Sequence, residues 1–191
     1  FTIYSGGNGQ QFQISTPYDS DEIDGLDFAS AEANPDDIQT QAVCNELVYF
    51  FGNLSVEIWQ NTGAAFPFAA ISGSYIERGC IAQWSVSKLD GQLFWLADDL
   101  NVYRIQGYER FGITPPGIAE KIKTAENPEN AYGFSYIDGG HAYYVLTFDE
   151  FTLVYDIISQ LWHERSSWDG EHLRWKITHY YTAYGKHFGL H

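Results

Sequence analysis

Residues 93–106 read Leu-Phe-Trp-Leu-Ala-Asp-Asp-Leu-Asn-Val-Tyr-Arg-Ile-Gln. An apolar run, Leu93 to Ala97, meets a turn at Asp98-Asp99, and a second run follows at Val102-Tyr103-Arg104-Ile105. Both runs are rich in Leu, Phe, Trp, Tyr, Val and Ile, the residues that suit a pleated, half-buried surface, so the stretch predicts two antiparallel strands. Working outward, the same run–turn–run unit occurs four times. Phe1-Thr2-Ile3-Tyr4 precedes a Gly-Gly-Asn-Gly turn and Phe12-Gln13-Ile14. Leu47 to Phe51 precedes Gly52-Asn53 and Val56-Glu57-Ile58-Trp59. Ala142 to Leu146 precedes a turn around Asp149 and Val154-Tyr155-Asp156-Ile157, and a fifth start appears at His187-Phe188-Gly189-Leu190.

Counted from Thr2 through Leu47, Leu93, Ala142 and His187, the steps are 45, 46, 49 and 45 residues. That period lies between the two common propeller repeats of about 40–45 and about 50 residues. Each period has room for four short strands. In the third these are Leu93–Leu96, Asn101–Gln106, Arg110–Ile113 and Tyr132–Ile137. Asn8-Gly9, Asp90-Gly91 and Gly139-Gly140 match tight two-residue hairpins. The fold class expected is all-β and β-propeller-like: about four blades of four-stranded antiparallel sheet plus the start of another, in one domain over residues 1–191. A sheet of this size buries too little alone, and radial neighbours cover its faces and shield its edges. With no methionine in the sequence and strand-like runs at both ends, the chain reads as a piece of a longer protein.

Two segments stand outside the repeat. Asp19 to Asp37 carries eight acids and is expected to be a long surface loop. Pro115-Pro116-Gly117 followed by Ile118 to Lys123 predicts a short helix, inserted between the third and fourth strands of its blade. Ile118 and Ile122 share one of its faces and pack on the sheet. Asp19, Asp21, Glu22, Asp24 and Asp27 of the first segment, and Pro115, Pro116 and Glu120 of the second, are the expected partner-contact residues.

The 191 residues are 45% hydrophobic and 17% aromatic, enough for a real core. The net charge of −15, from 25 acids against 10 bases, repels phosphate backbones and anionic membranes, so neither direct nucleic-acid binding nor membrane binding is expected. Cys44 and Cys80 lie among apolar neighbours in no Cys-x-x-Cys pair and are expected as buried free thiols. No 18-residue apolar run is present.

Candidate chemistry is sparse, and no catalytic, cofactor-binding or metal-binding residue is expected. His163-Glu164 with Asp169 and Glu171 supplies carboxylates that could flank a glycosidic bond, but many carboxylates would meet that spacing by accident, and the residues are read as alternating side chains of a strand. His172 and His179 with Glu171 lack a zinc-ligand spacing. Gly-x-Ser-x-Gly is absent, and the Gly6 to Gly9 turn lacks the Lys-Ser/Thr of a phosphate loop. Trp84, Trp95, Tyr103, Tyr143, Tyr155 and Trp168 could stack sugars or pack blades. A carbohydrate-binding or glycoside-hydrolase propeller is therefore the alternative function.

An ordered series of short matches narrows the reading. Asp27-Phe28-Ala29-Ser30-Ala31-Glu32-Ala33-Asn34-Pro35-Asp36 comes first. Val56–Trp59, Thr62–Phe68, Ile76–Cys80, Ser85–Asp90, Phe94–Leu96, Val102–Arg104, Gly107-Tyr108, Tyr144–Phe148 and Leu161–Arg165 follow in order. Together they cover roughly residues 10 to 168, and the series resembles the packaged DNA stabilisation proteins of short-tailed phages. The resemblance implies a non-catalytic propeller body and a homo-oligomeric ring, a hexamer, in the tail hub of the virion, assembled in the bacterial host cytoplasm. It implies contacts to the portal protein, the tail needle or plug and the tailspike. It also implies a role in extending and closing the portal channel so that packaged DNA stays in the head. The first repeat departs most from the family pattern.

Overall fold

The computed structural model describes residues 1–6, 9–31 and 36–190. Gly7 and Asn8 of the first expected turn, Glu32 to Pro35 of the acidic segment, and His191 lie outside the described residues. The chain divides into two compact units, Phe1–Cys80 and Ile81–His191.

In the first unit, β1 (Ile3–Ser5), β2 (Gln11–Ile14) and β3 (Phe28–Ser30) form a three-stranded sheet in that order. A four-stranded sheet follows, β4 (Ile38–Cys44), β5 (Leu47–Gly52), β6 (Val56–Asn61) and β7 (Phe68–Ala70). All pairings are antiparallel between chain neighbours. The two sheets share a core of Phe12, Ile14, Ile38, Val48, Phe50 and Trp59. Phe12 stacks on Phe50 at 4.3 Å between ring centroids and meets Trp59 edge-on at 5.1 Å. Each such ring removed from water is worth about 1.5–3 kcal/mol, which a lone three-stranded sheet could not gather.

The second unit holds three sheets. The first is β8 (Ser87–Leu89), β9 (Gln92–Leu96), β10 (Val102–Gln106) and β11 (Glu109–Gly112). After the helix α1 (Pro116–Ile122) come β12 (Tyr132–Asp138), β13 (His141–Thr147), β14 (Thr152–Asp156), β15 (Leu161–Trp168) and β16 (His172–Arg174). A closing hairpin pairs β17 (His179–Ala183) with β18 (Lys186–Leu190). The five-stranded sheet is apolar on both faces. Tyr144, Leu146, Leu153 and Tyr155 join a core with Phe94 and Leu96, while Tyr136, Val145 and Val154 pack with Phe134, Trp175 and Tyr180. Coverage on both sides explains why β14 is buried at every residue, where a half-exposed strand would alternate.

The strand runs found in the sequence are strands, but their grouping differs. Tyr132–Asp138, expected as the fourth strand of the third blade, pairs along its length with β13 and opens the next sheet. Gly139 and Gly140 cause this. With φ of 57° and 84° they form the two-residue turn that forces β12 and β13 to be antiparallel neighbours. Ser87–Leu89 supplies the missing strand of the third sheet, through the Asp90-Gly91 turn at φ 51° and 69°. Asn45-Glu46 and Tyr184-Gly185 hold the equivalent places with φ above +50° at Glu46, Tyr184 and Gly185. The recurring segments that begin near Leu47, Leu93, Ala142 and His187 thus lie on the second strand of each sheet.

Two further expectations change. The helix forms at Pro116–Ile122, with Ile122 fully buried and Ile118 packed beside it, but it connects two sheets and is not inserted within one. The acidic segment is not loop throughout, since Phe28–Ser30 pairs with β2.

Candidate functional site

The expected contact residues fall in both units. Asp19, Asp21, Glu22 and Asp24 are exposed, and Asp27 is half-buried. The acids shape their own loop. Asp19 accepts the Asp21 amide at 3.0 Å, Asp24 accepts the Leu26 amide at 2.9 Å, and Glu22 accepts the Thr16 hydroxyl at 3.3 Å. The Asp27 carbonyl accepts the Ile14 amide at 3.1 Å, tying the loop to β2. Tyr18, just before Asp19, and Leu26, between Asp24 and Asp27, project at 105% and 82% exposure.

Asp36 plays a different part from the other acids. Its carboxylate accepts the amides of Asn53, Leu54 and Ser55 at 2.8, 2.6 and 2.9 Å, and the Ser55 hydroxyl at 3.2 Å. It therefore holds the turn between β5 and β6 and is not available to a partner.

In the second unit Pro115, Pro116 and Glu120 are exposed. Pro115 precedes α1 and Pro116 occupies its first turn, where a missing N–H costs nothing. Glu120 pairs with Lys123 at 2.8 Å, and Lys121 lies 4.7 Å above the Phe151 ring. Buried Ile122 and half-buried Ile118 anchor the helix, and Pro115 and Pro116 stay exposed.

The candidate chemical groups are dispersed. His163 accepts the Arg165 Nε–H at 3.3 Å, and burial together with the Arg165 charge lowers its pKa. Glu164 lies 3.6 Å from Lys121, and Asp169 binds Lys176 at 3.1 Å. His172 contacts the Ser166 hydroxyl and His179 the Thr178 hydroxyl, on separate sheets. Among the described residues no three His, Cys, Asp or Glu side chains converge as metal ligands. Trp95 and Tyr155 are core residues, whereas Trp84 and Trp168 are more than two-thirds exposed. Cys44 and Cys80 are buried and outside any disulfide among the described residues, as expected.

The sequence reading missed one buried carboxylate. Asp156, 6% exposed, meets His141 Nδ1 at 2.7 Å, the Ser159 hydroxyl at 2.6 Å and the Ile158 amide at 3.0 Å. Burial works to raise the Asp156 pKa, but the bonds from Ser159, His141 and Ile158 outweigh it and hold the carboxyl below its ordinary value. Ser159 and His141 both address the same carboxylate. An acyl-transfer relay needs the imidazole between hydroxyl and acid, so this arrangement is a structural clamp. The Ile158 and Ser159 bonds form a local turn after β14, whereas His141 reaches Asp156 only through the pairing of β13 with β14.

Compared with known families, residues 2–188 match the family described as phage stabilisation, bacteriophage P22 Gp10, β-propeller. The all-β, propeller-like expectation agrees with that description and with the succession of antiparallel sheets. A comparison with curated proteins finds no match.

Proposed function

We propose, from the premise that this chain belongs to the phage stabilisation family of bacteriophage P22 Gp10, a structural protein of the phage virion, that it acts as the tail adaptor below the portal. In this reading a ring of copies, six by the family resemblance, extends and closes the portal channel after packaging. The ring links the portal protein to the tail needle and the tailspikes, and it turns over no substrate. It assembles in the host cytoplasm before taking its place in the virion.

The family match across nearly the whole chain carries the proposal, and two physical features support it. A charge of −15 lets a duplex pass or rest without being gripped, because phosphate and carboxylate repel. The Tyr18–Asp27 loop offers exposed Tyr18 and Leu26 beside its acids, and the Pro115–Glu120 segment offers an exposed proline face. Stable protein contacts bury about 1,600 Å² with apolar centres and polar rims. Both segments suit contributions to such surfaces, and we assign partner contact to Asp19, Asp21, Glu22, Asp24, Asp27, Pro115, Pro116 and Glu120.

The test is electron microscopy of the protein mixed with its cognate portal. Ring-shaped density extending the portal channel is the expected result. A mixture in which portal rings remain bare at micromolar protein would overturn the adaptor role.

A further inference from the structure

A cavity of about 420 Å³ opens in the second unit where β11 and the segment after it face the end of β14. Arg104, Phe111, Thr114, Pro115, Tyr155 and Gln160 line it. Strand register puts Arg104 directly opposite Phe94 on β9 and Phe111 on β11, so the three side chains share one face of the sheet. The Arg104 guanidinium carbon lies 4.6 Å over the Phe111 ring, and one N–H donates to the Gln92 side-chain oxygen. From the neighbouring sheet Tyr155 packs on Phe94 and Trp162, at 6.3 and 5.2 Å between ring centroids. The lip of the cavity is fixed in place. The Trp162 indole donates to the Ile113 carbonyl at 2.7 Å, and the Thr114 hydroxyl accepts the Val102 amide at 2.6 Å.

The polar groups facing this space are incompletely used. Arg104 enters none of the ion pairs among the described residues, although the chain holds 25 acids against 10 bases. A guanidinium carries several donors, and Gln92 takes one. Arg165, also outside those ion pairs, is enclosed by the rings of Tyr136, Tyr143 and Trp175 at 5.4, 5.0 and 5.1 Å, whereas Arg104 fronts open space. No acid lines the cavity. Asp156, next to Tyr155 in sequence, points to the opposite face of its strand and is held by His141. The Tyr155 side chain is 6% exposed, and its hydroxyl has no hydrogen-bond partner among the described residues. Its oxygen is not sealed off as the Tyr136 oxygen is, so it reaches the cavity surface. Burial pushes the Tyr155 phenol pKa up against the opposing Arg104 charge, so the group stays a protonated donor.

We infer that this cavity is a binding site for a carboxylate group. A guanidinium presents parallel N–H donors in one plane, and the two oxygens of a carboxylate accept them together. The Tyr155 hydroxyl adds a further donor. The half-buried setting beside aromatic rings strengthens such a pair over the same pair in water. Arg104 is already held by the Phe111 ring and Gln92, so little side-chain entropy is lost on binding. One positive charge matches one carboxylate and leaves a doubly charged phosphate half-compensated. The volume lies toward the lower end for ligand pockets and suits an acidic side chain or a small organic acid. This site is independent of the adaptor role.

The experiment uses the full chain labelled at arginine, with the Nε–H signals followed by NMR. Four probes are added at millimolar concentration: acetate, inorganic phosphate, and two capped tripeptides, N-acetyl-Gly-Glu-Gly-amide and its Gly-Gln-Gly counterpart. Arg104→Lys removes one signal and so assigns it. That signal should shift with the glutamyl peptide, with acetate or with both, and stay in place with the glutaminyl peptide. A shift with the peptide alone identifies the ligand as an acidic side chain, and a shift with acetate alone identifies it as a small acid. Arg104→Gln should weaken binding of the responding probe at least about tenfold, read from the saturation-transfer signals of the probe itself. Arg110→Gln, on the opposite face of the same sheet, should leave it unaltered. Circular dichroism confirms that each variant is folded, and the wild-type Arg104 signal decides the matter if Arg104→Gln is not. No shift with either carboxylate would overturn the proposal. So would an equal shift with the glutaminyl peptide, preference for phosphate, or undiminished binding in folded Arg104→Gln.

Discussion

The Tyr144 hydroxyl donates to the Ser85 carbonyl at 2.8 Å, a buried bond between residues 59 positions apart. It ties β13 to the short helical turn that leads into β8. The Ser85 hydroxyl in turn accepts the Leu96 amide at 3.0 Å, and Phe94 stacks on Tyr144 at 5.2 Å. Two sheets of the second unit are thus joined by polar and apolar contacts at the same place.

Gly133 makes that approach possible. A Cβ there would sit 2.6 Å from the Ser85 carbonyl oxygen and 3.1 Å from the Tyr144 ring. Tyr144→Phe should lower stability by about 1–2 kcal/mol, the worth of a buried hydrogen bond. Gly133→Ala should cost more, about 3 kcal/mol, because main chain must move. Urea unfolding monitored by tryptophan fluorescence checks both, and the order of the two effects is the diagnostic result.

Asp36 should behave unlike its acidic neighbours. Asp36→Ala removes the acceptor for three amides at once and should destabilise the protein by about 2–3 kcal/mol. Asp21→Ala, on the exposed loop, should stay within about 0.5 kcal/mol of the wild type. Paired thermal melts of the two variants separate the structural acid from the solvated one.

The Asp156 clamp predicts a particular response to acid. Its folded-state pKa lies below the ordinary 3.8, so its stabilisation is present above that value and is lost as pH falls through the folded pKa. Asp156→Asn should therefore cost roughly 1–3 kcal/mol near pH 7 and progressively less below about pH 4. Urea midpoints for both proteins measured down to about pH 2 would show the two curves converging.

Glu46 holds a left-handed conformation, φ 65°, where the matching turns carry Gly91, Gly140 and Gly185. Relief of about 1–2 kcal/mol of strain is partly offset by the greater freedom of glycine when unfolded. Glu46→Gly should stabilise the protein by about 0.5 kcal/mol, read as a small upward shift in urea midpoint. A loss of stability would mean that the Glu46 side chain matters more than its backbone.

The sequence made some elements plain and concealed others. Leu93–Ala97 was legible as a strand from its continuous apolar run, buried throughout, and Val102–Ile105 from its β-branched and aromatic residues on a half-buried surface. The helix at Pro116 was legible from its prolines and from the spacing of Ile118 and Ile122. The phase of the sheets was not. Turns at Asp90-Gly91 and Gly139-Gly140 were seen as hairpins, yet the strand before each was left with the preceding blade. Asn45-Glu46 carries no glycine and gave no hairpin signal at all. Asp36 was indistinguishable from other acids, since the amides it accepts lie 17–19 residues away, and for Asp156 the distant partner, His141, was equally hidden. Of the expected contact residues, all but Asp27 are exposed.

Local chemistry, then, determined the alphabet of this protein: strand-forming runs at a period near 46 residues, turns where glycine or aspartate permits them, an acidic surface, and a family pattern strong enough to be read. Tertiary structure decided which strand joins which sheet, which carboxylate is buried, and that Arg165 comes to rest among three aromatic rings. The reason is range. Backbone propensity and side-chain alternation act over a few residues, whereas register, burial and the meeting of Tyr144 with Ser85 arise only when sheets pack face to face and exclude water between them.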